Sequence, residues 1–278
     1  MPKLKNNTPT LVKEYLDSKD KLTTQTKKTY EGIGNNIPFN VLTTQNTIIR
    51  KLKELLSNPN TLQIYLNVII LVRRHNDEPT EKLIKFRNSL RDDIIKLRKE
   101  RLGELKGTLP SKADLLDKLK ELKGVQYIIN YLFINYGLRN KDVNLKVISD
   151  EPPKDDENYL VRNKKTATLY IRDYKTDGKY GDKVIKFKDK RFLDELKNLN
   201  IDDDKYLLSK RNGEKMKLST FNEKIKGESI MNLGETKIFK ILIGDLIDKK
   251  DYDEIEKLVQ SRGTSLNTIL KSYNIHNS

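Results

Sequence analysis

Apolar residues recur at three- and four-residue spacing through most of this chain, and that period predicts α-helices. Thr8 is the expected cap of a first helix over Pro9 to Leu16, with proline at the position where its missing N–H costs nothing. Thr23 or Thr24 caps a second, over about Gln25 to Ile33. A third covers Thr47 to Leu56, and the turn residues Asn58, Pro59 and Asn60 open a fourth over Thr61 to Arg74. Glu78 to Leu105 then reads as one long charged helix with a partial apolar stripe through Leu83, Phe86, Leu90, Ile94 and Leu102. Gly107, Thr108, Leu109 and Pro110 break the pattern. A domain boundary is expected there, between a helical domain over 8–106 and a second domain over 111–278.

The second half changes period. Ser111 caps Ala113 to Leu122, and VQYIINYLFINY predicts a strongly apolar helix from Val125 to Tyr136. Leu145 to Ile148, Tyr159 to Arg162, Thr168 to Ile171 and Val184 to Phe187 read as short strands, with Asn163 to Lys165 as a tight turn. Helical spacing resumes at Lys190 to Leu199, Ser219 to Lys226, Thr236 to Ile247, Tyr252 to Gln260 and Leu266 to Tyr273. The expected fold class is α+β, mainly α with a small antiparallel β-sheet.

Composition narrows the chemistry more than the fold. With 278 residues, 36% of them hydrophobic, the chain can bury a sizeable core. No run of eighteen apolar residues occurs, and LNVIILV at Leu66 to Val72 has only core-helix length, so no membrane span is expected. Lys3 and Lys5 are followed by Asn6, Asn7 and Thr8 rather than an apolar signal core, which points to an intracellular protein. The absence of cysteine excludes disulfides and thiolate metal sites, and two histidines leave almost no imidazole chemistry. A mechanism here has Tyr, Lys, Arg and carboxylates to work with. The net charge of +15 suits a polyphosphate partner, although a Lys-, Asn- and Ile-rich composition also follows from AT-rich coding.

Four stretches carry the candidate chemistry. NYGLRNKD places Arg139 just past the end of an apolar helix, with Asp142 three residues on to hold its guanidinium. The planar fork of arginine suits two non-bridging phosphate oxygens. YKTDGKYGDKVIKF places Lys175 after a strand, and ETKIFK opens an apolar helix with Lys237 and Lys240. RGTSLNTILKSYNI places Thr264 nine residues before Tyr273. Each alone has an ordinary reading: a C-cap glycine beside a surface arginine, a solvated hairpin, exposed helix-opening lysines, one packed tyrosine. In this order and at this spacing they resemble the scattered active site of tyrosine recombinases.

That resemblance spans most of the chain: Thr10 to Asn76 is similar to the family's helical, DNA-clamping core-binding domain, and Ser111 to Ile275 to its catalytic domain. It implies that Arg139 grips the phosphate with Asp142 in support, that Lys175 protonates the leaving 5′ oxygen, and that Tyr273 is the nucleophile. Lys237 and Lys240 stand where the family has His-x-x-Arg, and Thr264 where it has His or Trp. Lysine is a point donor without a bidentate fork, and Thr264 supplies a single hydrogen bond, so the cationic clamp is depleted. The implied reaction is cleavage and rejoining of double-stranded DNA through a 3′-phosphotyrosyl link, without metal or other cofactor. It implies an integrase or site-specific recombinase working as a homo-tetramer on DNA. The YKT and KYG elements are closest in flavour to enzymes of large DNA viruses and mobile elements. Two alternatives stay open: a catalytically decayed DNA-binding protein of the same ancestry, and a type IB topoisomerase-like enzyme.

Overall fold

Most helices begin where a side chain can take up the free N–H groups of the first turn. In the computed structural model, which describes residues 7–163, 165–174, 178 and 181–273, helix α1 (Thr8–Asp17) is capped by Asn7, whose Oδ1 accepts from the Thr10 N–H at 3.0 Å. Thr8, the expected cap, lies one position inside. Its hydroxyl is buried and must find a partner: it donates to the Phe39 carbonyl at 2.5 Å and accepts from the Val41 N–H at 3.3 Å. Thr23 caps α2 (Thr24–Asn35), Thr44 caps α3 (Gln45–Leu55) and Asn58 caps α4 (Pro59–His75). The long helix α5 (Glu81–Lys106) has its first N–H groups, Lys82 and Leu83, held by Gln45 Oε1.

The chain divides into two compact units, Met1–Glu100 and Arg101–Ser278, and the division falls inside α5. The first unit closes on Leu11, Leu16, Ile48, Leu52, Leu66, Ile69, Val72 and Leu83, all essentially buried. Arg73 is buried with them and keeps its charge because every arm is engaged. It donates to the Val41, Thr43 and Pro79 carbonyls and pairs with Glu78 at 3.0 Å.

In the second unit, Ser111 and Asp114 form a reciprocal capping box on α6 (Lys112–Glu121), and α7 (Gly124–Tyr136) follows. Strands β1 (Leu145–Ile148), β2 (Asn158–Arg162), β3 (Ala167–Ile171), β4 (Lys183–Phe187) and the two-residue β5 (Lys205–Tyr206) form one sheet in the order β4-β3-β2-β1-β5. The sheet is mixed, not wholly antiparallel: β1 and β2 run parallel, with Leu145 opposite Asn158. The nine-residue link SDEPPKDDE between them is the crossover that a parallel pair requires, and its paired prolines have no N–H to give to a hairpin ladder. The other pairings are antiparallel. Helices α8 (Lys190–Asn198), α9 (Leu218–Glu228), α10 (Glu235–Asp248), α11 (Tyr252–Arg262) and α12 (Leu266–Ser272) complete the unit.

Helix α7 is the axis of this unit, packed on α6, α8, α9, α10 and α11. Its Ile128, Ile129, Leu132 and Phe133 are fully buried, each stabilising the fold by roughly 1.5–3 kcal/mol relative to exposure. It stops at Gly137, whose φ of +59° is the left-handed region and whose N–H donates to the Phe133 carbonyl at 3.0 Å. That stop sets Arg139 just beyond the helix end. No described helix is long and apolar enough to cross a membrane.

Candidate active site

Two helix C-termini meet here. Both α7 and α11 end in a left-handed glycine, Gly137 at +59° and Gly263 at +61°. The last carbonyls of such ends have no partner within the helix and carry the negative pole of its dipole. Hydroxyl and cationic side chains take them up. Ser261 Oγ donates to the Tyr136 carbonyl. Arg262 Nη1 donates to the Gly137 carbonyl at 2.7 Å, Lys183 Nζ to the Ser261 carbonyl at 2.8 Å, and Arg139 Nη1 to the Arg262 carbonyl. Three cations from separate parts of the chain are thereby gathered in one place.

Arg262 is the deepest of them, 1% exposed. Its Nη2 pairs with Glu235 Oε2 at 2.6 Å, in the first turn of α10. Its guanidinium carbon lies 4.0 Å from the centre of the Phe239 ring and 5.4 Å from that of Tyr273. Tyr273, half-buried at the end of α12, stands edge-on to Phe239 with ring centres 5.0 Å apart and an interplanar angle of 88°. Its N–H donates to the Ile269 carbonyl at 2.9 Å, so the last helical turn sets its direction.

The charges act on one another. Burial pushes the Arg139 guanidinium down from its ordinary value, and the Arg262 charge adds to this. Burial likewise pushes the fully buried Asp142 carboxyl up, against the Arg139 N–H bonded to Oδ2 at 2.9 Å and the charges of Arg139, Lys183 and Arg262. Burial brings the Lys183 ammonium down to about 8; Asp142 opposes the shift, while Arg139 and Arg262 add to it. Lys183 Nζ also sits 3.8 Å from the centre of the Tyr174 ring, whose hydroxyl ties the hairpin by donating to the Gly181 carbonyl at 2.6 Å.

Of the residues expected from the sequence, Arg139, Asp142 and Tyr273 come together around Arg262. Lys175 lies outside the described residues. Lys237 is exposed and Lys240 half-buried on α10, where burial and the Lys237 charge push the Lys240 ammonium down. Thr264 is half-buried just after the Gly263 cap, its N–H donating to the Val259 carbonyl at 3.2 Å. Among the described residues, no hydrogen bond or ion pair joins Lys237, Lys240 or Thr264 to Arg139 or Tyr273. Lys183 and Glu235 join this cluster without having stood out in the sequence, and Arg262 was visible there only as a cation neighbouring the Thr264 motif. Lys183 opens a short strand in a lysine-rich stretch, and a basic residue in the last turn of a helix is ordinary, so neither stands out. Chemically, the cluster sets three cations against two carboxylates, Asp142 and Glu235, with a phenol at its edge.

No protein-family model and no curated protein matches the chain. Among solved structures it is similar to the crystal structure of XerA recombinase, at 16% identity and a TM-score of 0.38, over 97% of this chain and 94% of that one. The chemistry of the site rests on its own geometry.

Proposed function

We propose that this protein cleaves and rejoins duplex DNA by transesterification, as an integrase or site-specific recombinase. The observation that carries the reading is the meeting of Arg139, Lys183 and Arg262 at the C-terminal end of α11, with the Arg262 guanidinium 5.4 Å from the Tyr273 ring. Tyr273 Oη attacks the phosphorus and gives up its proton to water, forming the P–O(Tyr) bond. The P–O5′ bond breaks, and the departing 5′ oxygen takes a proton from a hairpin lysine. The described lysine beside Arg139 is Lys183, whose lowered ionisation suits a proton donor, and Lys175 stands as the second candidate for that step. Arg139 spends one arm on the Arg262 carbonyl and offers its other donors to the non-bridging oxygens, with Lys237, Lys240 and Thr264 contributing at the rim. Reversal by a 5′ hydroxyl of another strand completes exchange. Exchange between two duplexes takes four cleavages, so the working form is a homo-tetramer on DNA, with the helical unit clamping the duplex.

A duplex carrying a nick beside the cleavage point tests this, because loss of the short 5′ fragment traps the covalent intermediate. Wild type forms a detergent-stable protein–DNA adduct and Tyr273→Phe forms none. An adduct with Tyr273→Phe removes Tyr273 as nucleophile. Salt-sensitive binding with no adduct from wild type gives the binding-only reading, and relaxation of supercoils without recombinant product gives the topoisomerase one. Lys175→Ala and Lys183→Ala apportion the proton transfer, since a sulfur at the bridging 5′ position leaves without a proton and restores whichever variant had lost the donor.

A further inference from the structure

We infer that Arg262 is a positioning residue and not a phosphate ligand: it mounts the reactive tyrosine and the phosphate-gripping arginine on one buried brace. The inference rests on the reading of Tyr273 as nucleophile. Exposure of 1% keeps Arg262 from the solvent side of the site. Its Nη1 is given to the Gly137 carbonyl at 2.7 Å and its Nη2 to Glu235 at 2.6 Å. Phe239 covers it at 4.0 Å. Its Nε, without a hydrogen-bond partner among the described residues, is buried as well, so a DNA phosphate would have to open this packing to reach the guanidinium.

What Arg262 touches is the set of elements that must agree for in-line attack. The Gly137 carbonyl is the end of α7, two residues before Arg139. Glu235 is the first residue of α10, which also bears Phe239, Lys237 and Lys240. Tyr273 packs edge-on to Phe239, with the Arg262 guanidinium near both rings. The backbone carbonyl of Arg262 itself receives Arg139 Nη1. One side chain and its own carbonyl therefore register Arg139, α10 and Tyr273 against one another. Lysine cannot do this: a single Nζ on a flexible stem does not serve the Gly137 carbonyl and Glu235 at once while lying flat on Phe239. Glu235 in turn neutralises a buried guanidinium that would otherwise be unpaired.

The test separates positioning from mere bracing. Full-length wild type, Arg262→Lys and Glu235→Gln are compared for duplex affinity and for the rate of single-turnover adduct formation on the nicked duplex. Each is also prepared with 3-fluorotyrosine at position 273 for ¹⁹F NMR without DNA. Arg262→Lys is expected to hold duplex affinity within about threefold while adduct formation slows by about 100-fold, the effect of misplacing reacting atoms by roughly 1 Å. The fluorine resonance should shift or broaden, and Glu235→Gln should move all readouts in the same sense. Wild-type adduct rates in Arg262→Lys overturn the inference. So does an unmoved resonance, affinity and rate falling in parallel, or loss of the folding transition in both variants. Wild type that forms no adduct while the resonance still responds to Arg262→Lys overturns the nucleophile reading and leaves the positioning of Tyr273 by Arg262 standing.

Discussion

Lys183 carries its charge among cations, and that has a consequence for pH. Its ionisation in the folded chain is lowered from 10.5 to about 8, so between those values the unfolded chain binds more protons than the folded one. Stability therefore rises with pH across that window and is flat, for this group, below it. Melting temperatures of wild type and Lys183→Met, compared from pH 7 to about 11, should show wild type gaining on the variant between about 8 and 10.5. A constant difference would remove the lowered ionisation. The same proton bears on the proposed catalysis: adduct formation should fall as pH rises through about 8, and that limb should be absent in Lys183→Met. At this scale motif spacing could bring Arg139, Asp142 and Tyr273 to notice, the first two in the turn that follows α7 and the third at the end of α12. The contacts of Arg262 and Lys183 could not be read there, because their partners lie far off in sequence: Arg262 reaches back to Gly137, and Lys183 forward to Ser261.

At the scale of elements the end of α7 leaves no room for a side chain. A Cβ on Gly137 would meet the Phe239 ring at 2.8 Å and Leu258 at 3.0 Å, at a φ of +59°. Gly137→Ala should destabilise the protein by roughly 1–3 kcal/mol from backbone strain alone, with the Phe239 clash in addition. Gly234→Ala, at φ −68° with nothing within 4 Å of its Cβ, should change stability by no more than about 0.5 kcal/mol. Chemical denaturation of both variants checks this, and equal stabilities would show that Phe239 repacks freely. Helix positions were readable because capping residues and the apolar period agree locally. The parallel β1–β2 pairing and the strand β5 were not: direction depends on where the chain returns, and two residues make no periodic signal.

For the whole molecule, the net charge of +15 makes a quantitative demand if DNA is the partner. Each phosphate neutralised contributes about −0.9 to the slope of log K against log salt, so engaging six to ten phosphates costs about 10³–10⁵ in affinity between roughly 50 and 200 mM salt. Anisotropy of a labelled duplex across that range measures the slope, and a shallow one would make the charge a matter of composition alone. By itself the sequence determined the helix periods, most helix starts to within a residue or two, the mixed second half and the order of the four candidate motifs, because all of these are written in spacings of a few residues; the cap of α1 fell to Asn7 and not to Thr8. Only the tertiary structure decided which cations face the tyrosine. That choice depends on two helix C-termini meeting, on carbonyls that need donors, and on a buried Arg262–Glu235 pair. Contacts between residues tens to more than a hundred positions apart leave no local trace in the chain.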